Sequence, residues 1–418
     1  SHAEVMFSLD GKPQENAGCV IGTALCYSGN YKLRIDTHDD EYHRFFAGIN
    51  EENSAYSLKK DEIFRTPELA LTYSNEGLSG SSRNFHRWAR LHKLAHGTVP
   101  RKILLNSWEG VYFDVNQAGM DQMMSDIASM GGELFVMDDG WFGDKYPRKN
   151  DSSSLGDWVV DKNKLPNGIE GLLKDAQKNG VKFGIWIEPE MANTTSEFYE
   201  KHPDWVIKAP ERDVVQGRGG TQVVLDLANP QVQEFIFKIV DDLMSNYPEI
   251  DYIKWDANMS ILNHGSNYLT KDNQSHMYIE FHRGFEKICQ QIRAKYPDLT
   301  IQACASGGGR VNYGILPYFD EFWVSDNTDA LQRIYMQWGT SYFFPAIAMA
   351  SHISAAPNHQ TFRTIPLKYR IDVAMSGRLG MENTTKEYDR KKRRHFARMP
   401  SLNIKRSVRW CNRVISIV

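Results

Sequence analysis

Cysteine is scarce in this 418-residue sequence: Cys19, Cys26, Cys289, Cys304 and Cys411 are odd in number, widely spaced and without any CxxC pair. Neither a disulfide framework nor a zinc knuckle is suggested, and reduced thiols are expected. No apolar run approaches the ~20 residues of a transmembrane helix, so no membrane partner is expected. The opening SHAEVMFSLD lacks the basic-then-apolar pattern of a secretory signal, which points to a cytoplasmic location. A net charge of −3 is too small for the field that draws a protein to nucleic acid, and that partner is not expected either. HxH spacing is missing, as is a GxGxxG after the first strand; no metal, no cofactor and no doubly wound nucleotide fold are anticipated.

What is present describes a folded chain. Hydrophobic residues make up 41% and charged residues 24%, which disfavours long-range disorder, and the length allows one to three domains. The small net charge hides an asymmetry: residues 386–418 hold eleven Lys/Arg and two acids, a balance of +9 that leaves −12 elsewhere.

Residues 1–77 alternate apolar and polar positions and contain turn signals such as Ser28-Gly29-Asn30, the pattern of antiparallel β-structure. Phe85, Trp88, Leu91 and His92 then fall at helical spacing, predicting a linking helix within 78–100. From 101 to 382 short apolar runs end in polar residues and alternate with amphipathic stretches. The runs are ILLNSW, ELFVMDDGW, KFGIWIEPE, VVLDLAN, DYIKWD, TIQACASGG, EFWVSD and FPAIAMASHIS. Eight strands alternating with helices imply an α/β protein with a closed parallel (β/α)8 TIM barrel. VVLDLAN is the weakest of the eight, a rim hairpin arm being its alternative.

Barrel active sites lie at the C-terminal strand ends. Those ends hold Trp108-Glu109, Asp138-Asp139, Glu188, Glu190, Asp226, Lys254, Asp256, Cys304, Ser306, Asp326 and His352. Any one Asp here is an ordinary turn residue, but carboxylates, tryptophans and a lysine crowded on one rim suit a sugar site, with aromatic faces against the pyranose and carboxylates on its hydroxyls. Alternation places Lys254 and Asp256 on one face of DYIKWD and Trp255 on the other. An ammonium beside Asp256 favours its charged form, as a nucleophile requires, the alternative being a structural ion pair. Asp326 follows an apolar strand beside Trp323, where partial burial raises a carboxyl and suits a general acid. Asp329 reads as a helix-entry or loop acid and Asn327 as a turn residue. Retaining glycoside hydrolysis needs two such carboxyl groups ~5–5.5 Å apart.

NSWEGVYFD, MDDGWFG, GDWVVDKNKLPNGI, FGIWIEPEM, HPDWVI, GRGGTQVVLDLANP, DYIKWDAN, CASGGGR, SDNTDALQR and HISAAPNHQTFRT, in this order between Leu78 and Glu382, closely resemble the bacterial α-galactosidases of glycoside hydrolase family 36. The resemblance implies that Asp256 is the nucleophile and Asp326 the acid/base of a retaining double displacement. It implies that Asp138, Asp139 and Lys254 hold galactose hydroxyls, that Trp186 and Arg218 form wall and hydroxyl-binding positions, that Cys304 and Gly307 stand near the sugar 2-position, and that Trp108 flanks the leaving-group side. The implied partner is an α-galactoside oligosaccharide such as melibiose or raffinose, and a homo-oligomer is possible. An α-N-acetylgalactosaminidase, a galactosyl-transferring relative and an inactive galactose-binding fragment are the alternatives. Because the family has larger flanking domains, residues 1–77 read as a partial N-terminal β-sandwich and 383–418 as an atypical basic C-terminal tail, with truncation at both ends expected.

Overall fold

The computed structural model describes residues 2–37 and 42–383; the basic stretch 386–418 and Cys411 lie outside them. Two small antiparallel sheets come first. Strands β1 (Glu4–Ser8), β2 (Val20–Cys26) and β5 (Glu68–Ser74) form one, in the order β1-β2-β5, and β3 (Tyr31–Thr37) pairs with β4 (His43–Ile49) in the other. Ala3, Leu25 and Tyr27 form a small core with Tyr31, Leu33, Ala47 and Ile49, and Phe7 meets Phe45 edge-on at 5.1 Å. Helix α1 (Gly77–Trp88) follows, and a single π-helical turn, Ala89–Lys93, ends it.

Eight parallel strands then close a barrel: β6 (Leu104–Asn106), β7 (Leu134–Met137), β8 (Lys182–Ile187), β11 (Ile250–Trp255), β12 (Thr300–Ala303), β13 (Glu321–Trp323), β14 (Met349–Ser354) and β15 (Arg378–Glu382). The intervening β9 (Met191–Asn193) and β10 (Gln222–Val224) form an antiparallel hairpin. VVLDLAN is thus a hairpin arm and not a barrel strand. The eighth stave is instead RLGME, to which the sequence reading assigned no strand. Its alternate residues explain why: Leu379 and Met381 join the core outside the barrel, whereas Arg378 and Glu382 point into a polar interior and bond Glu321 and His352. A strand built this way carries no apolar run.

Among the described residues, α2 (Trp108–Val111) and α3 (Gln117–Ser129) follow β6, α4 (Gly168–Asn179) follows β7, and α5 (Glu197–Lys201) and α6 (Pro230–Asn246) precede β11. Helix α7 (Met277–Lys295) follows β11, α8 (Ala330–Ser341) follows β13 and α9 (Leu367–Ala374) follows β14. Local sequence sets their ends. Asn116, Asn229 and Asp329 each accept a backbone N–H as N-caps, Pro230 opens α6, and Gly180, at φ 70°, closes α4 in the left-handed conformation. In α6, Val232, Ile236, Ile239, Val240 and Leu243 recur at helical spacing and are buried, so one stripe packs on the barrel. The main core is this layer between staves and helices. Inside the barrel, among the described residues, Leu104, Leu134, Val136 and Tyr252 form one small apolar cluster and Cys304, Trp323 and Ala350 another, and polar side chains such as Glu321, Arg378 and His352 lie between them.

Candidate active site

A pocket of about 260 Å³ opens where the staves end. Trp108, Asp138, Asp139, Trp186, Arg218, Lys254, Asp256 and Asp326 line it, together with Glu109, Tyr112, Asn258, Trp323, Thr328, His359, Gln360 and Glu382. The fold therefore brings together eight of the ten residues singled out from the sequence. The other two stand directly behind the wall. Cys304 is buried against Trp323 and Ala350, and burial, followed by the charge of Asp256, pushes its thiol well up, so it serves as neutral packing. Gly307, at φ +81°, lies so close to the loop of Asp326 that a Cβ there would sit 2.6 Å from the Asp326 backbone nitrogen.

Alternation along β11 delivers Tyr252, Lys254 and then Asp256 to the interior, while Trp255 packs outward near Phe285 and Phe319. The direct partner of the ammonium differs from the sequence expectation. Lys254 Nζ donates to Asp138 Oδ2 at 2.7 Å, reaching past β8 to the end of β7. Burial opposes the charge of Lys254, but Asp138 first and then its other acidic neighbours, Glu382 and Asp256 among them, together outweigh it and hold the group well above its ordinary value. Asp138 Oδ2 also accepts from Asn106 Nδ2 at 2.6 Å, and its Oδ1 accepts the Asp139 N–H. Asp139 is gripped by both ends of the Arg148 guanidinium, at 2.9 and 2.7 Å. Both acids of the pair are thereby fixed with their charge compensated.

Three donors converge on Asp256: Trp186 Nε1 at 3.2 Å and Asn258 Nδ2 at 2.9 Å on Oδ2, and the Ala257 N–H at 2.9 Å on Oδ1. Asp326 accepts no such set among the described residues. It is reached by solvent through the pocket mouth, yet crowding by the pocket walls, then the charge of Asp256, lifts its carboxyl to about 6, against the opposing pull of Lys254. One carboxylate is held as an acceptor and the other retains a proton into the weakly acidic range, the division of labour that acid-assisted displacement needs. Asp329 caps α8 and Asn327 accepts the Asp329 N–H, both as turn chemistry predicts.

Three of the strand-end acids have structural work. Glu190 pairs with both ends of Arg310 and accepts Trp255 Nε1. Asp226 takes the Ser266 hydroxyl and the Ala228 N–H. Glu188 bonds Gln222 Nε2 and the Asn258 N–H; burial, then the charge of Asp256, pushes it up to about 8.

Glu382 is a pocket residue that sequence reasoning missed. Arg378 Nη1 can only donate, so His352 Nε2, 3.2 Å away, accepts, and His352 Nδ1 carries the proton it donates to Glu382 Oε2 at 2.9 Å. Burial, followed by Arg378, keeps His352 neutral by holding it well below its ordinary value. Burial also lifts Glu382 to about 7 against the pull of Lys254. Asn258 and His359 were missed as well; both fall inside the quoted motifs DYIKWDAN and HISAAPNHQTFRT, which is the signal that pointed to them. Among the described residues no group of three or more His, Cys, Asp or Glu has the arrangement of a metal site, and no helix is long and apolar enough to cross a membrane.

A (β/α)8 barrel with a small, carboxylate-rich and tryptophan-walled pocket at its C-terminal face defines the glycosidase class of site. Residues 63–408 match the Melibiase family and residues 1–59 match the Glycosyl hydrolase family 36 N-terminal domain; the chain belongs to glycoside hydrolase family 36. It is 41% identical over 373 residues to alpha-galactosidase C of Emericella nidulans, covering 87% of this chain and 48% of that protein. Alpha-galactosidase AgaA of Geobacillus stearothermophilus is 40% identical over 371 residues, covering 88% and 50%. The crystal structure of AgaA superimposes with a TM-score of 0.94 at 36% identity, over 98% of this chain and 56% of that one. AgaA variants have also been solved in complex with raffinose and with stachyose. The chain spans about half the length of the curated relatives it matches.

Proposed function

We propose that this chain hydrolyses terminal α-galactosides of oligosaccharides such as melibiose or raffinose, with retention of configuration. Asp256 attacks the anomeric carbon as the glycosidic C–O bond breaks, and Asp326 gives its proton to the departing oxygen. Water then attacks the galactosyl-enzyme, losing a proton to Asp326 and releasing Asp256. Asp138, Asp139, Lys254 and Arg218 take the sugar hydroxyls, and Trp186 and Trp108 form walls. The observation that carries this reading is the contrast within one pocket between Asp256, gripped by three donors, and Asp326, lifted to about 6. The names of the relatives and the raffinose and stachyose complexes of AgaA support the choice of sugar.

Turnover of nitrophenyl α-galactoside tests it. Asp256→Asn is expected to lower kcat by on the order of 10⁴-fold or more. Asp326→Ala is expected to spare substrates whose leaving group needs no proton far better than melibiose. Faster turnover of the N-acetylgalactosaminide than of the galactoside, or full activity in either variant, refutes the reading.

A further inference from the structure

The displacement chemistry makes no use of one wall of the pocket, formed by Glu109, Tyr112 and His359 beside Trp108. Trp108 meets Tyr112 edge-on at 5.3 Å, and Tyr112 meets His359 edge-on at 6.3 Å. Glu109 is buried; its Oε1 accepts the Thr328 hydroxyl at 2.6 Å and lies 3.4 Å from His359 Nδ1. Its Oε2 is buried and has no partner among the described residues, so Glu109 holds more acceptor capacity than Thr328 uses. The neighbouring loop is tied to the same point. Asn358 Nδ2 donates to Thr328 Oγ1, and Thr361 and Arg363 donate to Asp329. Thr328 and Asp329 lie two and three residues beyond Asp326, so this wall stands on the side of the pocket where Asp326 releases its proton.

With Nδ1 turned toward Glu109, His359 presents Nε2 at the opposite edge of the ring. Nε2 makes no hydrogen bond to any described residue, and the side chain is 32% exposed. A donor held by a carboxylate behind it and by an aromatic edge beside it is prepared for an acceptor on a ligand. The interaction with Glu109 also raises the imidazole above its ordinary value, which favours the form with protons on both nitrogens. We propose that His359, oriented by Glu109, donates a hydrogen bond to a hydroxyl of the departing sugar, so that the Trp108–Tyr112–His359 wall selects saccharide over aryl leaving groups. This subsite rests on the α-galactoside reading above. A wall that hydrogen-bonds a hydroxyl discriminates against a leaving group that lacks one.

The test compares kcat/KM for melibiose and for nitrophenyl α-galactoside in the unaltered chain and in His359→Ala, His359→Gln and Glu109→Gln. Loss of one charge-assisted hydrogen bond predicts that His359→Ala lowers the melibiose-to-nitrophenyl ratio by about tenfold to a hundredfold. His359→Gln, which keeps an N–H donor, recovers part of the ratio, and Glu109→Gln lowers it less than His359→Ala does. Parallel losses on both substrates, or an unchanged ratio, overturn the subsite while leaving the hydrolase reading standing. An unaltered chain inactive on both substrates overturns the hydrolase reading, and the subsite with it.

Discussion

Carboxylates gather at both ends of this barrel, and they behave in opposite ways. At the N-terminal end Asp320 accepts from His96, Arg293 and the Ile301 N–H, and Glu321 accepts from Arg378, Tyr252 and Gln302. Burial works to raise both groups, but His96 and Arg293 beside the first and Arg378 beside the second bring both below the usual carboxylate range. At the C-terminal end Asp326, Glu382 and Glu188 are lifted to about 6, 7 and 8. Strand β13 links the two extremes, with Asp320 and Glu321 at its start and Asp326 just past its end. Loss of water around the carboxyl pushes upward at both ends, and the supply of cations differs, although Asp139 is raised by burial in spite of Arg148. Asp320 and Glu321, faced by their own arginines, hold the barrel together, whereas Asp326 and Glu382, which share Lys254 with other carboxylates, keep protons available in the pocket.

Asp326→Asn breaks the comparison from the functional side. A carboxyl whose value is raised on folding contributes stability that is present below its unfolded value and lost as pH rises through the folded one, so at neutral pH its charge costs the fold. The amide removes that cost. Activity on melibiose is expected to fall by about 10²–10⁴-fold while the midpoint of denaturant unfolding stays or rises; a lower midpoint contradicts the idea that this end is under-compensated. Glu321→Gln breaks it from the structural side. It leaves the buried Arg378 guanidinium short of its counter-charge, and the expected loss is about 3–5 kcal/mol of unfolding free energy. The folded fraction should keep its kcat, and a stable but inactive variant refutes the division between the two ends.

Gly307→Ala sharpens the comparison with a smaller effect. The methyl group meets the Asp326 nitrogen at 2.6 Å, and the residue needs φ +81°, so the acid loop has to move. A misplacement of this kind costs up to about a hundredfold in kcat. The loss should be larger for melibiose than for a galactosyl fluoride that needs no proton; equal losses show that the displaced group is something other than Asp326.

The acids of the site were legible because a polar residue that terminates an apolar strand stands out, as Asp138, Asp256 and Asp326 do. Their partners were not, because pairing between barrel strands depends on stagger. Lys254 sits two residues from Asp256 in sequence yet pairs with Asp138, 116 positions away, and Arg148, which grips Asp139, comes from a loop without periodicity. Strand β15 failed for a related reason: with Arg378 and Glu382 turned inward, its pattern lacks the apolar run by which the other staves were found. VVLDLAN failed in the opposite direction. Val223, Val224 and Leu225 are buried on a rim hairpin, and their local composition matches that of a stave.

The two ends also separate along the pH axis. In the proposed mechanism Asp326 carries a proton to serve the leaving group, so kcat/KM for melibiose is expected to fall by one decade per pH unit above about 6. Asp320 and Glu321 are depressed on folding, so their stabilisation is present above the ordinary carboxylate range near 4 and is lost as pH falls through their folded values. Activity therefore fades as pH rises, whereas the fold fails as pH drops, and both are satisfied together between about 4 and 6. Measuring kcat/KM and Tm across pH 3–9 checks this. Two results would show that the cation supply at each end does not control its carboxylates: a melibiose rate still climbing through pH 7, or Glu321→Gln leaving the acid fall of Tm as steep as in the unaltered chain.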